Sequence, residues 1–227
     1  MKIQIFGQCP KKKKTYFWTM FNDQVSTRQK IVNKALEMFN ARGVEYVGLR
    51  ELAASLNMRV SNITYYFPTK DNLVNQLSLE LNKLNSEFLV DDKSITMQSF
   101  LTMLRNVFRN QLKYRCMLLS IVHLMEQNKE MSVRHKKTQK HRNATLKANI
   151  ISLTELGYLK VDDENETEFL VSTIALIARF WISEATISFR QLSPEGQINY
   201  YLSLVGKLLS SYATIKGKKQ IQLFLES

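Results

Sequence analysis

Groups able to do chemistry gather most densely between residues 59 and 70, in the run RVSNITYYFPTK. Ile63 and Phe67, four apart, give a helix here an inner face, and Arg59, Val60, Ser61, Asn62, Thr64 and Tyr65 are left on or near its outer face. The outer set offers a guanidinium, an amide, hydroxyls and a methyl-bearing edge. Such groups hydrogen-bond base edges and phosphate oxygens, and Arg59 has two options, a bidentate contact to guanine or a phosphate. The chemistry they suit is recognition of double-stranded DNA. The groups a catalyst needs are scattered by comparison. The chain has no glycine-rich phosphate loop, paired-Cys motif or His-Glu-x-x-His. His123 and Glu126 can share a helix face, but two groups do not make a metal site, and His135 and His141, six apart, point to different faces. Cys9 and Cys116 are too few for a disulfide framework and neither pairs with a neighbouring Cys or His. Neither catalysis nor a cofactor is expected.

The reading segment needs elements to hold it. Just before it, Leu49, Leu52, Ala53 and Leu56 mark a short amphipathic helix, with a tight break at Asn57-Met58 and then a second helix from Val60 to Phe67 that Pro68 stops. Two short helices so joined form a helix-turn-helix, whose second helix is sized for a major groove. Ala53 lets the helices cross closely, and Asn57 enters the left-handed region cheaply, as a sharp helix exit requires. Ahead of them, Ser26 with Gln29 suggests a capping box opening a helix whose face is Ile31, Ala35, Leu36 and Phe39, with Gly43 as its stop. That helix buries the back of the pair. Behind them, Thr69 can cap a helix over 70–89, with Asp71 in its first turn and a stripe of Leu73, Leu77, Leu81, Leu84 and Phe88. At about 19 residues it would span about 28 Å and connect the DNA-reading part to the C-terminal two thirds of the chain. Asp91-Asp92-Lys93 would end it.

With its leading helix, the pattern LRELAASLNM and then RVSNITYYFPTKDNL resembles the DNA-binding domain of the tetracycline-repressor (TetR) family of bacterial regulators. The resemblance covers about residues 27 to 75 and is most specific from Asn62 through Lys70. Asn57 stands where the family usually has Gly, Arg59 where it commonly has a small N-capping Ser, and Thr64 where a Tyr is common. Arg59 and Thr64 therefore rule out inheriting an operator sequence. The resemblance implies that Val60, Asn62 and Thr64 meet bases or sugars, that Tyr65, Tyr66 and Lys70 meet phosphates, and that Arg50 lies near the DNA. Tyr66, beside Phe67, suits packing as well, and Arg50 also suits a solvated helix start.

The charge distribution agrees with that placement. The 227 residues carry a net charge of +12, of which residues 1–70 hold +8, from 12 Lys and Arg against 4 Asp and Glu. Positive charge concentrates where phosphates would be met. Residues 1–25 form a basic extension containing Lys11 to Lys14, which can lie in an adjacent minor groove; the simpler reading is an extended start, since Met20 would also serve as an initiator. The apolar run FLVSTIALIARFWI, residues 169–182, falls short of the roughly 20 residues of a membrane span and contains Arg179. The amino terminus lacks an apolar signal core, so a cytoplasmic protein without a membrane partner is expected.

From Ser94 onward the pattern is helical throughout, so the fold class is all-α: an N-terminal three-helix DNA-binding domain over 26–72, then a helical bundle over 73–227. Ser94 to about Lys113 reads as one helix and Cys116 to Met125, apolar nearly all round, as one central buried helix. Residues 129–147 hold seven Lys or Arg and one Glu and read as a solvated face, with a second nucleic-acid surface as the rival. A helix over 167–189 bears Ser172, Ala175, Ala178 and Ala185, and Ser193-Pro194 opens a last helix to 212, bearing Ile198, Tyr201, Leu202, Val205, Leu208, Leu209 and Tyr212. These last two helices are expected to pair between subunits as a homodimer; the alternative is that both are core, and the resemblance favours the dimer. It also implies a small hydrophobic or aromatic effector among the helices from about 95 to 189. Met103, Val107, Met117, Ile121, His123, Phe180 and Trp181 are the candidate lining, with ordinary core as the competing role for each. The expected function is a repressor that binds a palindromic operator and is released by the effector; the rival is a DNA-binding or scaffold protein of the same fold with no effector.

Overall fold

The computed structural model describes residues 26–88 and 94–226. The basic extension with Lys11 to Lys14 and the expected break at Asp91-Asp92-Lys93 lie outside them. The described residues form α1 (Thr27–Arg42), α2 (Leu49–Ser55), α3 (Val60–Tyr66), α4 (Lys70–Ser86), α5 (Met97–Lys113), α6 (Arg115–Leu119), α7 (Ile121–Gln127), α8 (Lys129–Glu155), α9 (Glu164–Ser188), α10 (Pro194–Ser210) and α11 (Ile215–Leu225). Among them, β structure is limited to one isolated bridge, Leu159 with Ala213.

The head is α1 to α3. Ser26 Oγ accepts from the Gln29 N–H at 3.2 Å, but the Gln29 amide turns to Asn33 Oδ1 at 3.0 Å, so the cap is one-sided where a reciprocal box was expected. Gly43 (φ 95°) and Asn57 (φ 53°) take the left-handed conformations that end α1 and turn α2 into α3. Ile31, Val32, Ala35 and Phe39 of α1 close over Leu52, Ala53, Ile63 and Phe67, all fully buried. Each of the larger ones contributes about 1.5–3 kcal/mol by leaving water. Val44 and Val47 pin the α1–α2 loop into the same core. Thr69 and Asn72 do form a reciprocal capping box on α4, whose Leu73, Val74, Leu77 and Leu81 pack inward against α1 and α5.

The bundle departs from the sequence expectation in four places. The segment expected as one central helix breaks at Ser120 into α6 and α7, and Leu119, Val122 and His123 are exposed. Apolar composition without a stripe gave that segment no single buried face, and the two short helices bury only part of it. α9 is longer than the run 169–182 suggested: it has 25 residues, and the best 18-residue window within it has a mean hydropathy of 1.5, so it is long and apolar enough to cross a membrane by length and composition. In the fold it packs on α6, α8 and α10 and buries Leu170, Val171, Ile174, Trp181, Ile182 and Ala185. The α10 stripe Ile198, Tyr201, Leu202, Val205 and Leu209 is core within one subunit, covered by α5, α9 and α11. Finally, α11 was not anticipated. Thr214 caps it by accepting from the Gly217 N–H at 3.2 Å, and the Thr214 N–H reaches Tyr158 O at 3.1 Å. At Gly217 a Cβ would lie 2.1 Å from Tyr158 O, so only glycine lets α11 approach the α8–α9 loop.

Candidate DNA-reading face and effector cavity

α3 presents Arg59, Val60, Ser61, Asn62, Tyr65 and Tyr66 to solvent, with Thr64 half-buried, because Ile63 and Phe67 fix its inner face. Tyr65, 81% exposed, packs its ring edge-on against Tyr66 with centroids 5.0 Å apart. An apolar ring so exposed costs solvation unless something covers it, and a sugar-phosphate backbone can. Thr64 Oγ1 donates to Ser61 O at 3.3 Å, within its own helix. Arg50 is exposed on α2. Lys70 is occupied differently: its ammonium donates to Val44 O at 2.9 Å and Glu45 O at 3.3 Å, tying the α1–α2 loop to the start of α4. Tyr46 in that loop is 79% exposed and is absent from the sequence-derived set. The signal is present in the sequence: Val44 and Val47 are the buried pair, which turns Tyr46 outward.

The head is fastened to the bundle through Asn40 of α1. Its Nδ2 donates to Lys113 O at 2.8 Å and its Oδ1 accepts the Cys116 N–H at 3.0 Å, so one amide satisfies backbone groups on both sides of the α5–α6 break. Tyr114, in that break, donates to Glu80 of α4 at 3.2 Å. Burial, with the Glu80 carboxylate beside it, pushes its phenol up to about 12.

Beside α6 lies a part-open cavity of about 110 Å³ lined by α4 to α9. A cavity of that order holds a body about the size of a benzene ring. Of the sequence candidates, Val107, Met117 and Ile121 line it. Met103, His123, Phe180 and Trp181 do not. The Met103 sulfur receives the Asn149 amide at 3.8 Å. His123, two residues past Ile121, is rotated to the outside of α7. Phe180 lies on the outer side of α9. Trp181 is core: it stacks on Phe108 at 5.0 Å, and its Nε1 donates to Gln111 Oε1 at 2.7 Å. The small α9 residues Ala175 and Ala178 face the cavity, where they leave room.

The polar half of the lining, Asn82, Asn85, His135, Gln139, Arg142 and Arg179, lies outside the sequence-derived candidates. Met131, His135, Gln139, Arg142 and Leu146 recur at helical spacing, the inward face of a helix whose composition reads as a solvated basic surface throughout. Arg142 Nη2 donates to Asn82 Oδ1 at 2.9 Å, and burial lowers its pKa. His135 is also held below the ordinary histidine value, first by burial and then by the charges of Arg142 and Arg179.

Comparison with known proteins places this arrangement. A family model for bacterial regulatory proteins of the tetR family matches residues 31–77, and a second, for a bacterial transcriptional repressor, matches residues 82–221. Over 57 residues the chain is 39% identical to a probable HTH-type transcriptional regulator, YttP, of Bacillus subtilis (strain 168); that match spans 25% of this chain and 28% of the relative. Among solved structures, a TetR-family transcriptional regulator from Marinobacter aquaeolei VT8 is similar over 88% of this chain and 98% of its own, with a TM-score of 0.81 at 20% identity. A regulatory protein of the tetR family from Rhodococcus RHA1 is similar over 81% and 97%, with a TM-score of 0.63 at 18% identity. The chain therefore belongs to the TetR family of bacterial transcriptional regulators, with a helix-turn-helix DNA-binding domain ahead of an all-helical C-terminal domain.

Proposed function

We propose that the protein acts in the cytoplasm as a homodimeric repressor that binds a palindromic operator through α3 and is released when a small molecule enters the cavity beside α6. The observation that carries the reading is the position of α6: Met117 and Leu118 line the cavity, while Cys116 of the same short helix is held by Asn40 of the head. A ligand that prefers one position of α6 thereby prefers one position of α1 and of the α3 it carries. Only such differential affinity makes an effector act. The presence of the cavity also favours this reading over a regulator without an effector. Dimerisation is supported by α9, whose Phe169, Leu176, Phe180 and Ile187 form an exposed apolar stripe at helical spacing, with Ile187 76% exposed. A two-fold pair presents two copies of α3 to the half-sites of a palindrome. Base contacts are assigned to Val60, Asn62 and Thr64, phosphate contacts to Tyr65, Tyr66 and Lys70, whose ammonium also ties down the α1–α2 loop, and Arg50 and Arg59 flank them.

The test is binding of purified protein to DNA upstream of its own gene, across a salt series, with and without small apolar molecules. Selective, salt-steep binding released by one compound supports the proposal. Selective binding that no compound releases supports the effector-free reading, and absence of selective binding refutes both.

A further inference from the structure

We propose that the ligand of the cavity is a small organic acid, an apolar body ending in a carboxylate that Arg142 and Arg179 receive. This rests on the effector reading above and adds its chemical class. The lining is mixed: Leu104, Met117, Leu118, Leu124 and Ile174 supply apolar surface, Arg142 and Arg179 supply positive charge, and no Asp or Glu lines the cavity. Neither arginine has an acidic partner among the described residues, whereas Arg42, Arg109 and Arg134 each pair with a glutamate. A guanidinium withdrawn from water without a counter-charge is costly, and a carboxylate is its best-matched partner, able to accept bidentately.

The unsatisfied groups point the same way. Arg179 Nε and Asn85 Nδ2, both lining the cavity, are buried without hydrogen-bond partners. Both are donors. Asn85 Oδ1 is already used, accepting from Asn110 Nδ2 at 3.2 Å. Buried donors left open call for an occupant rich in acceptors. His135, depressed toward its neutral form by burial and by both arginines, adds a hydrogen-bonding group and no third charge at neutral pH. A cationic ligand would meet two guanidinium groups and no carboxylate, so the cavity selects against it.

The experiment titrates the full-length protein with two matched triples, benzoate, benzyl alcohol and benzylamine, then hexanoate, 1-hexanol and hexylamine, by calorimetry and thermal shift. The expected result is that the acid binds about tenfold or more tighter than its alcohol in at least one triple, with the amine weakest. Arg179→Gln and Arg142→Gln should each bring the acid down to the level of the alcohol. Should either variant fold poorly, the wild-type comparison decides alone. Alcohol or amine binding as tightly as the acid overturns the charge assignment and leaves the effector cavity standing. If no member of either triple binds or stabilises at millimolar concentration, the acid assignment is overturned, while the effector reading is decided by the DNA-release test above.

Discussion

Replacing Asn40 with alanine should loosen the head from the bundle without touching the DNA-reading face or the cavity. The change removes two hydrogen bonds, Asn40 Nδ2 to Lys113 O at 2.8 Å and Cys116 N–H to Asn40 Oδ1 at 3.0 Å. Cys116 is 1% exposed, so its N–H has no ready access to water once the acceptor is gone. An orphaned buried donor costs about 1–3 kcal/mol, and the lost bond to Lys113 O, where water can substitute, adds about 0.5 kcal/mol. The sum is about 2.5 kcal/mol, within a range of about 1.5–3.5. With a urea slope of about 2 kcal/mol per molar, the unfolding midpoint should fall by about 1 M. Asn40→Asp keeps the acceptor for Cys116 but sets a carboxylate against Lys113 O, so its loss should be of similar size or larger. Because the same amide joins the cavity wall to α1, the factor by which a cavity ligand weakens DNA binding should also shrink in Asn40→Ala. A midpoint shift under about 0.3 M, together with an unchanged ligand effect on DNA affinity, would refute the clamp.

Individual contacts support further expected outcomes. Gly217→Ala places a Cβ where the backbone oxygen of Tyr158 stands, so it should cost about 1–3 kcal/mol in denaturant unfolding; a neutral result would mean that α11 is not docked as described. Burial pushes the Cys116 thiol up to about 12, and in a Cys9→Ser variant a thiol reagent at neutral pH should label it only as fast as the protein opens; immediate labelling would contradict its burial. Since the folded values for Cys116 and Tyr114 lie above their ordinary 9.0 and 10.0, their contribution to stability is complete below about pH 9 and is lost as pH climbs toward 12, which a denaturant series at alkaline pH would track. Asn62→Ala should cost operator selectivity while sparing affinity for random DNA; Lys70→Ala should weaken every sequence and, by freeing the Val44 and Glu45 carbonyls, also lower the stability of the head. Equal losses on operator and random DNA for both variants would count against these roles.

The head is legible in the sequence because each of its signals is local. A capping Ser26, a terminating Gly43, a left-handed Asn57 and the Ile63–Phe67 spacing each specify backbone within a few residues, and the structure has the last three as read. The bundle is less legible because its decisions are made between distant segments. Where α6 starts is set with the help of Asn40, 76 positions earlier, which takes up the Cys116 N–H. Whether the α10 stripe meets a second subunit depends on α11, whose arrival is set by Gly217 against Tyr158. In the cavity, apolar candidates carry no signal of which neighbour they meet, and Val107, Met117 and Ile121 line it while Trp181 and Phe180 face elsewhere. The arginines escape notice because a basic helix reads as solvated until its inward face is separated from the rest; Arg142 shares that face with Met131 and Leu146.

The central claim is that a pair of α3 helices reads an inverted repeat. The most direct measurement is selection from fragmented genomic DNA by the purified full-length protein, with sequencing of the retained fragments and determination of protein-to-duplex stoichiometry on the best one. The expected result is enrichment of fragments sharing an inverted repeat, bound by two chains per duplex, with the enrichment lost in Asn62→Ala while salt-dependent retention of random DNA persists. Retention without a shared sequence, or a single chain per site, would contradict it.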